Sequence, residues 1–166
     1  KEDGTIDEVE AERMLDYAIE SGVTYIDTAY PYHDGESEPF IGRVLKKYKR
    51  EDFYLATKLP MFKIDSLEQA KEIFEEQMKR LDVDYVDFYL LHALNKDTWK
   101  KVIDLNIIPY CEELKKQGRI KNFGFSFHDD YEVFEEIINY RDWDFCQIQL
   151  NYIDTDIQAG MKGYKL

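Results

Sequence analysis

Four side chains of the sequence could combine into one kind of chemistry: Asp27, Tyr32, Lys58 and His92. A phenol, with a reference pKa of about 10, is a poor proton donor near neutrality, but a nearby ammonium favours the phenolate. Lys58 can supply that ammonium. A carboxylate such as Asp27 would hold the ammonium charged and oriented in a partly dry pocket. A histidine opposite them can hydrogen-bond a carbonyl oxygen and fix its direction as it receives negative charge. Taken singly, each has a plainer reading. Asp27 suits a turn, Tyr32 is one of 13 tyrosines, Lys58 could be a solvated charge, and His92 a hydrogen-bonded core residue. Ser126 and Gln147 could likewise do no more than satisfy buried backbone. The chemical reading rests on the six occurring together at comparable places along the chain.

Those places are the ends of expected strands. Thr5 to Ser21 reads as a helix with Ala11, Met14, Leu15, Ala18 and Ile19 on one face and a capping box of Thr5 and Glu8, ended by Gly22. "VTYIDTA" is the first strand. Ser37 can cap the next helix, which carries Phe40, Ile41, Leu45 and Tyr48 and tolerates Pro39 in its first turn. "DFYLATK" is the second strand, Ser66 and Gln69 box the start of a helix bearing Ile73, Phe74, Met78 and Leu81, and "YVDFYLLHA" is the third. Helical sequence from Asp97 to Gln117 should fall into two pieces because of Pro109. "RIKNFGFSF", a short helix with Val133, Phe134, Ile137 and Ile138, and "DFCQIQLNY" complete the order.

Strands recurring about every 30 residues with helices between them predict repeated βαβ units and a parallel sheet. A doubly wound domain and part of a (β/α)8 TIM barrel both offer one. The barrel is favoured because the chain opens on a helix and no Gly-rich phosphate loop follows "VTYIDTA", where Gly35 stands alone. The expectation is an incomplete α/β barrel over residues 1–166, with five parallel strands, the first strand and the last two βα units missing, and two unpaired edges. In such folds chemistry collects beyond the C-terminal strand ends, where Asp27, Lys58, His92, Ser126 and Gln147 fall and where the loop after the first strand brings Tyr32.

The segments "GVTYIDTAYPYHDGESE", "LATK", "DFYLLH", "GRIKNFGFS" and "CQIQLN" resemble successive signatures of the aldo-keto reductase superfamily over nearly the whole chain. "YIDTAYPYH" and "GFSFHDD" are most similar to a bacterial branch whose barrel is often followed by an iron-sulfur segment. The resemblance implies a catalytic tetrad of Asp27, Tyr32, Lys58 and His92, with Tyr32 rather than Tyr30 as proton donor. It also implies NADPH, or NADH, with its carboxamide at Ser126 and Gln147. An iron-sulfur cluster would belong only to a longer parent chain. Phe127 stands where the family carries an asparagine, so a looser carboxamide grip is expected. His33 and Asp34 lie outside the tetrad and read equally well as solvated loop or as substrate contacts.

Composition narrows the alternatives. A formal charge of −13, from 35 acidic against 22 basic residues, disfavours a nucleic-acid surface and calls for locally placed donors if a phosphate is to bind. Two distant cysteines, Cys111 and Cys146, suit reduced thiols and a cytoplasmic setting, and neither a metal site nor a membrane span is expected. A glycosidase would need a second carboxylate opposite Asp27. The expected activity is NAD(P)H-dependent interconversion of a small carbonyl compound and its alcohol. The rivals are a cofactor-sensing regulatory subunit and an inactive partial barrel.

Overall fold

The computed structural model describes residues 5–166. Its elements are α1 (Glu8–Glu20), β1 (Tyr25–Asp27), α2 (Ser37–Leu45), β2 (Tyr54–Leu59), α3 (Leu67–Leu81), β3 (Val86–Leu94), α4 (Lys96–Asp104), α5 (Ile107–Lys116), β4 (Ile120–Phe127), α6 (Tyr131–Ile138), β5 (Phe145–Gln147) and α7 (Gly160–Lys165). The five strands are all parallel and lie in the order β1-β2-β3-β4-β5. That order decides between the two expected architectures. A doubly wound sheet reverses its strand order at a switch point, whereas right-handed crossovers between strictly sequential strands keep the helices on one face and curl the sheet into part of a barrel. β1 and β5 are the two edges.

The outward face of the sheet makes the core. Leu55, Leu59, Tyr89, Leu91, Phe123, Phe125 and Phe127 are buried against Phe74, Met78, Val102, Leu114, Phe134 and Ile137 from the helices. α2 is drawn onto the end of α3 at Gly42, where a Cβ would lie 2.6 Å from the Arg80 carbonyl oxygen, so only glycine permits the approach. The inward face is less covered. Tyr25, Tyr54, Phe88 and Phe145 meet edge to face there, with Tyr25–Phe88 centroids at 5.2 Å and Phe88–Phe145 at 5.1 Å, while Tyr54 remains 55% exposed.

Several local expectations are corrected. α1 begins at Glu8 with Asp7 as its cap, its carboxylate accepting the Glu10 N–H, in place of a Thr5–Glu8 box. Met14 is 59% exposed, because only Leu15 and Ile19 of its apolar face reach the core. Ser37 is the first helical residue of α2 and its hydroxyl pairs with Thr28 at 2.8 Å, leaving Glu36 at the cap position. Ser66 does accept the Gln69 N–H, yet Gln69 reaches back to the Asp65 N–H, one residue earlier than a capping box requires. The helical region after β3 does divide, but at Asn106 in a left-handed conformation. Pro109 sits harmlessly in the first turn of α5. β5 is only three residues long, and α7 was not anticipated.

Candidate active site

β1 and β2 run side by side, with Asp27 beside Ala56, so the strand ends bring Asp27 and Lys58 within reach of one another. The Lys58 ammonium donates to Asp27 Oδ1, to the Thr28 carbonyl oxygen at 2.9 Å and to Tyr32 Oη at 3.3 Å. All three of its protons are therefore directed. The lysine is 1% exposed, and a buried ammonium of this kind persists only where a charge partner and hydrogen bonds replace water.

Tyr32 returns to the mouth through a sharp loop. Its N–H bonds to the Ala29 carbonyl at 3.1 Å, and the chain then turns through left-handed His33 (φ 51°), Asp34 (φ 55°) and Gly35 (φ 94°). Two consecutive non-glycine residues in that region are costly, a pattern found where a loop is held for function. His33 and Asp34 are exposed, and no side-chain hydrogen bond of theirs is formed among the described residues. Lys58 Nζ also lies 4.8 Å from the centroid of the Tyr32 ring.

His92 completes the group. Its ring stands edge-on to Tyr32 with centroids 5.7 Å apart and lies 5.7 Å from Phe62. Burial, then the Lys58 cation and His128, push the imidazole down to about 4, so it is neutral at pH 7. Its Nδ1 is buried without a hydrogen-bond partner among the described residues. A neutral imidazole beside an ammonium and a phenol can, through its other ring nitrogen, accept or donate to a polar group entering the mouth.

Ser126 and Gln147 lie side by side on β4 and β5. Ser126 is buried and its Oγ accepts the Ala93 N–H at 2.8 Å, leaving the hydroxyl proton without an acceptor among the described residues. The Gln147 amide is exposed at the edge. These free donors suit a carboxamide group. Phe127 faces the other way, 1% exposed against Phe134 of α6 at 5.3 Å, because successive strand residues alternate faces. Its side chain does not line the mouth.

Beneath the site lies a buried network that reading the sequence did not single out. Glu38, fully buried, accepts Thr57 Oγ1 at 2.6 Å and Gln77 Nε2 at 2.8 Å, with Arg80 at 3.5 Å. Gln77 also donates to the Lys58 carbonyl at 3.0 Å and accepts the Tyr89 hydroxyl at 2.8 Å. Burial pushes the Glu38 carboxyl up against the opposing pull of these donors. Arg80 lies 4.2 Å from the Tyr30 ring centroid, and Tyr30 donates to Glu76 at 2.8 Å. Tyr30 is thus tied to α3, away from Lys58. No spacing rule marks Glu38, Gln77 and Arg80 as partners, since they meet only when α2 and α3 pack.

The sequence profile of the aldo/keto reductase family matches residues 1–164. The chain belongs to this family. Among relatives of this aldo/keto reductase family member, an uncharacterized oxidoreductase of Bacillus subtilis, YqkF, is 36% identical over 122 residues, covering 68% of this chain and 38% of the relative. An NADH-specific methylglyoxal reductase of Escherichia coli is 26% identical over 159 residues, covering 82% and 47% respectively. The solved thermostable aldo-keto reductase Tm1743, in complex with the inhibitor epalrestat, superposes with a TM-score of 0.74 at 31% identity, over 92% of this chain and 55% of that one. This family member therefore spans less than half the length of the two curated relatives. Among its described residues no helix is long and apolar enough to cross a membrane, and no group of three or more His, Cys, Asp or Glu could hold a metal ion.

Proposed function

We propose that residues 1–166 form one barrel-core unit carrying the proton-transfer centre of an NAD(P)H-dependent carbonyl reductase. The observation that supports this best is the Lys58 ammonium bonded at once to the Asp27 carboxylate and to the Tyr32 hydroxyl oxygen, beside a neutral His92. Because Lys58 donates to Tyr32 Oη, the phenol's own proton is left to point at a substrate oxygen. The cation then stabilises the phenolate that remains, and Asp27 holds the cation in place. His92 orients the carbonyl oxygen. Ser126 and Gln147 hold the carboxamide of the nicotinamide cofactor, NADPH or NADH, which when bound supplies the hydride. The substrate is a small aldehyde or ketone, in keeping with a relative named for methylglyoxal, and the setting is the cytoplasm.

The test uses the complete translation product, its intact mass measured first. Quenching or enhancement of NADPH and NADH fluorescence reports cofactor binding, and cofactor oxidation is followed with simple, aromatic and 2-oxo aldehydes. Saturable binding with turnover supports the reading. Binding without turnover of any carbonyl would favour a cofactor-sensing role, and absence of both would end the proposal.

A further inference from the structure

His92 sits at an irregularity in β3. Between the paired positions Leu91–Phe125 and Leu94–Phe127, β3 advances three residues while β4 advances two. The extra residue makes a bulge, a device that re-aims a side chain, and it is uncommon between parallel strands. Ala93 within it has φ 53°, the only non-glycine residue with positive φ inside a strand among the described residues. A Cβ makes that conformation unfavourable, so something must hold it. The Ala93 N–H, turned out of the ladder, is taken by Ser126 Oγ at 2.8 Å, and the ladder resumes with the His128 N–H on the Leu94 carbonyl at 2.9 Å.

We propose that Ser126 is a positioning residue for His92: its oxygen latches the Ala93 bulge, while its proton is free for a cofactor carboxamide oxygen, coupling cofactor binding to the aim of the histidine. The coupling rests on the reductase reading above; the latch does not. A hydroxyl that donates to one group becomes a better acceptor for another, so engaging its proton tightens the Ala93 bond. Phe127, buried on the opposite face, cannot share this task, which leaves Ser126 as the contact on β4 that joins the bulge to the mouth.

The experiment follows the Ala93 amide by hydrogen exchange and the His92 ring by NMR of 15N-histidine-labelled protein. Wild type, Ser126→Ala and Ser126→Thr are compared with and without NADPH, after a circular dichroism check of folding. Ser126→Ala should speed Ala93 exchange about tenfold, the scale of one lost hydrogen bond, and give His92 more than one ring environment. Ser126→Thr, which keeps the hydroxyl, should restore both. Ser126→Cys, a weaker acceptor, should fall between and serves if the alanine variant does not fold. NADPH should slow Ala93 exchange in wild type but not in Ser126→Ala, a difference that a purely structural serine would not produce. Unchanged Ala93 exchange and a single His92 environment in Ser126→Ala would overturn the latch. Equal slowing by NADPH in both proteins would overturn the coupling. Failure of wild type to bind NADPH would remove the coupling together with the reductase reading, while the comparison in the free protein would still decide the latch.

Discussion

Acid should destabilise this chain through His92 in a way that can be isolated. Burial, then the Lys58 cation and His128, bring the folded imidazole from 6.5 down to about 4. A folded pKa below the unfolded one means that the unfolded chain takes up a proton, as pH falls through 6.5, which the folded chain refuses until about 4. Stability is therefore lost as pH falls across that window and is fully present above it. At 1.36 kcal/mol per pH unit, the whole gap corresponds to about 3 kcal/mol, and about 2 kcal/mol of it should be lost already at pH 5 relative to pH 7.5. Carboxylates titrate in the same region, so the measurement is a difference. Urea unfolding of wild type and of His92→Asn at pH 5 and 7.5 should show wild type losing about 2 kcal/mol more than the variant between the two conditions. Lys58→Met, which removes the second cause of the shift, should move the folded midpoint upward in NMR titration of the ring. Equal losses in wild type and His92→Asn, or a folded ring titrating near its ordinary 6.5, would refute the argument from burial and charge.

Tyr32→Phe should lower turnover of an aldehyde by about a hundredfold to ten-thousandfold with little change in NADPH affinity, whereas Tyr30→Phe, losing only its bond to Glu76, should have a much smaller effect; steady-state kinetics in which Tyr30→Phe is worse would reverse the assignment. Glu38→Leu should cost about 3 kcal/mol in urea unfolding, because Thr57, Gln77 and Arg80 all lose a buried partner, while Glu38→Gln keeps an acceptor and should cost less. Gly42→Ala should destabilise by about 1–3 kcal/mol, since its Cβ would meet the Arg80 and Leu81 backbone; a thermal midpoint unchanged from wild type would mean that α2 can shift on α3 at no cost.

The sequence by itself determined the order of β1 to β5, the helices between them and the strand-end positions of the candidate groups, because periodicity and end signals are written locally. It also separated Tyr32 from Tyr30 through the family resemblance, and the structure brings Tyr32 rather than Tyr30 to Lys58. Local reading failed where a neighbour outcompeted the local rule. Ser37 pairs with Thr28 instead of capping α2, and Gln69 bonds one residue upstream of its expected target. β5 pairs with β4 over only three residues, Phe145–Gln147, well short of the expected strand.

The tertiary structure bears out, in its sequential strand order, the barrel segment that the βα alternation and the opening helix favour over a doubly wound sheet. It placed Phe127 in the core, where the sequence suggested a gap in the cofactor grip, and joined Glu38, Thr57, Gln77 and Tyr89 beneath Lys58 across four separate elements. It made the bulge at Ala93, an alanine that no composition rule would mark for a left-handed backbone. Propensity and hydrophobic period act over a few residues, whereas a buried polar atom must find its partner wherever packing brings one. The identities of the candidate groups were therefore written along the chain, and their mutual placement was settled by contacts between residues roughly 20 to 40 positions apart, such as Lys58 with Tyr32 and Ser126 with Ala93.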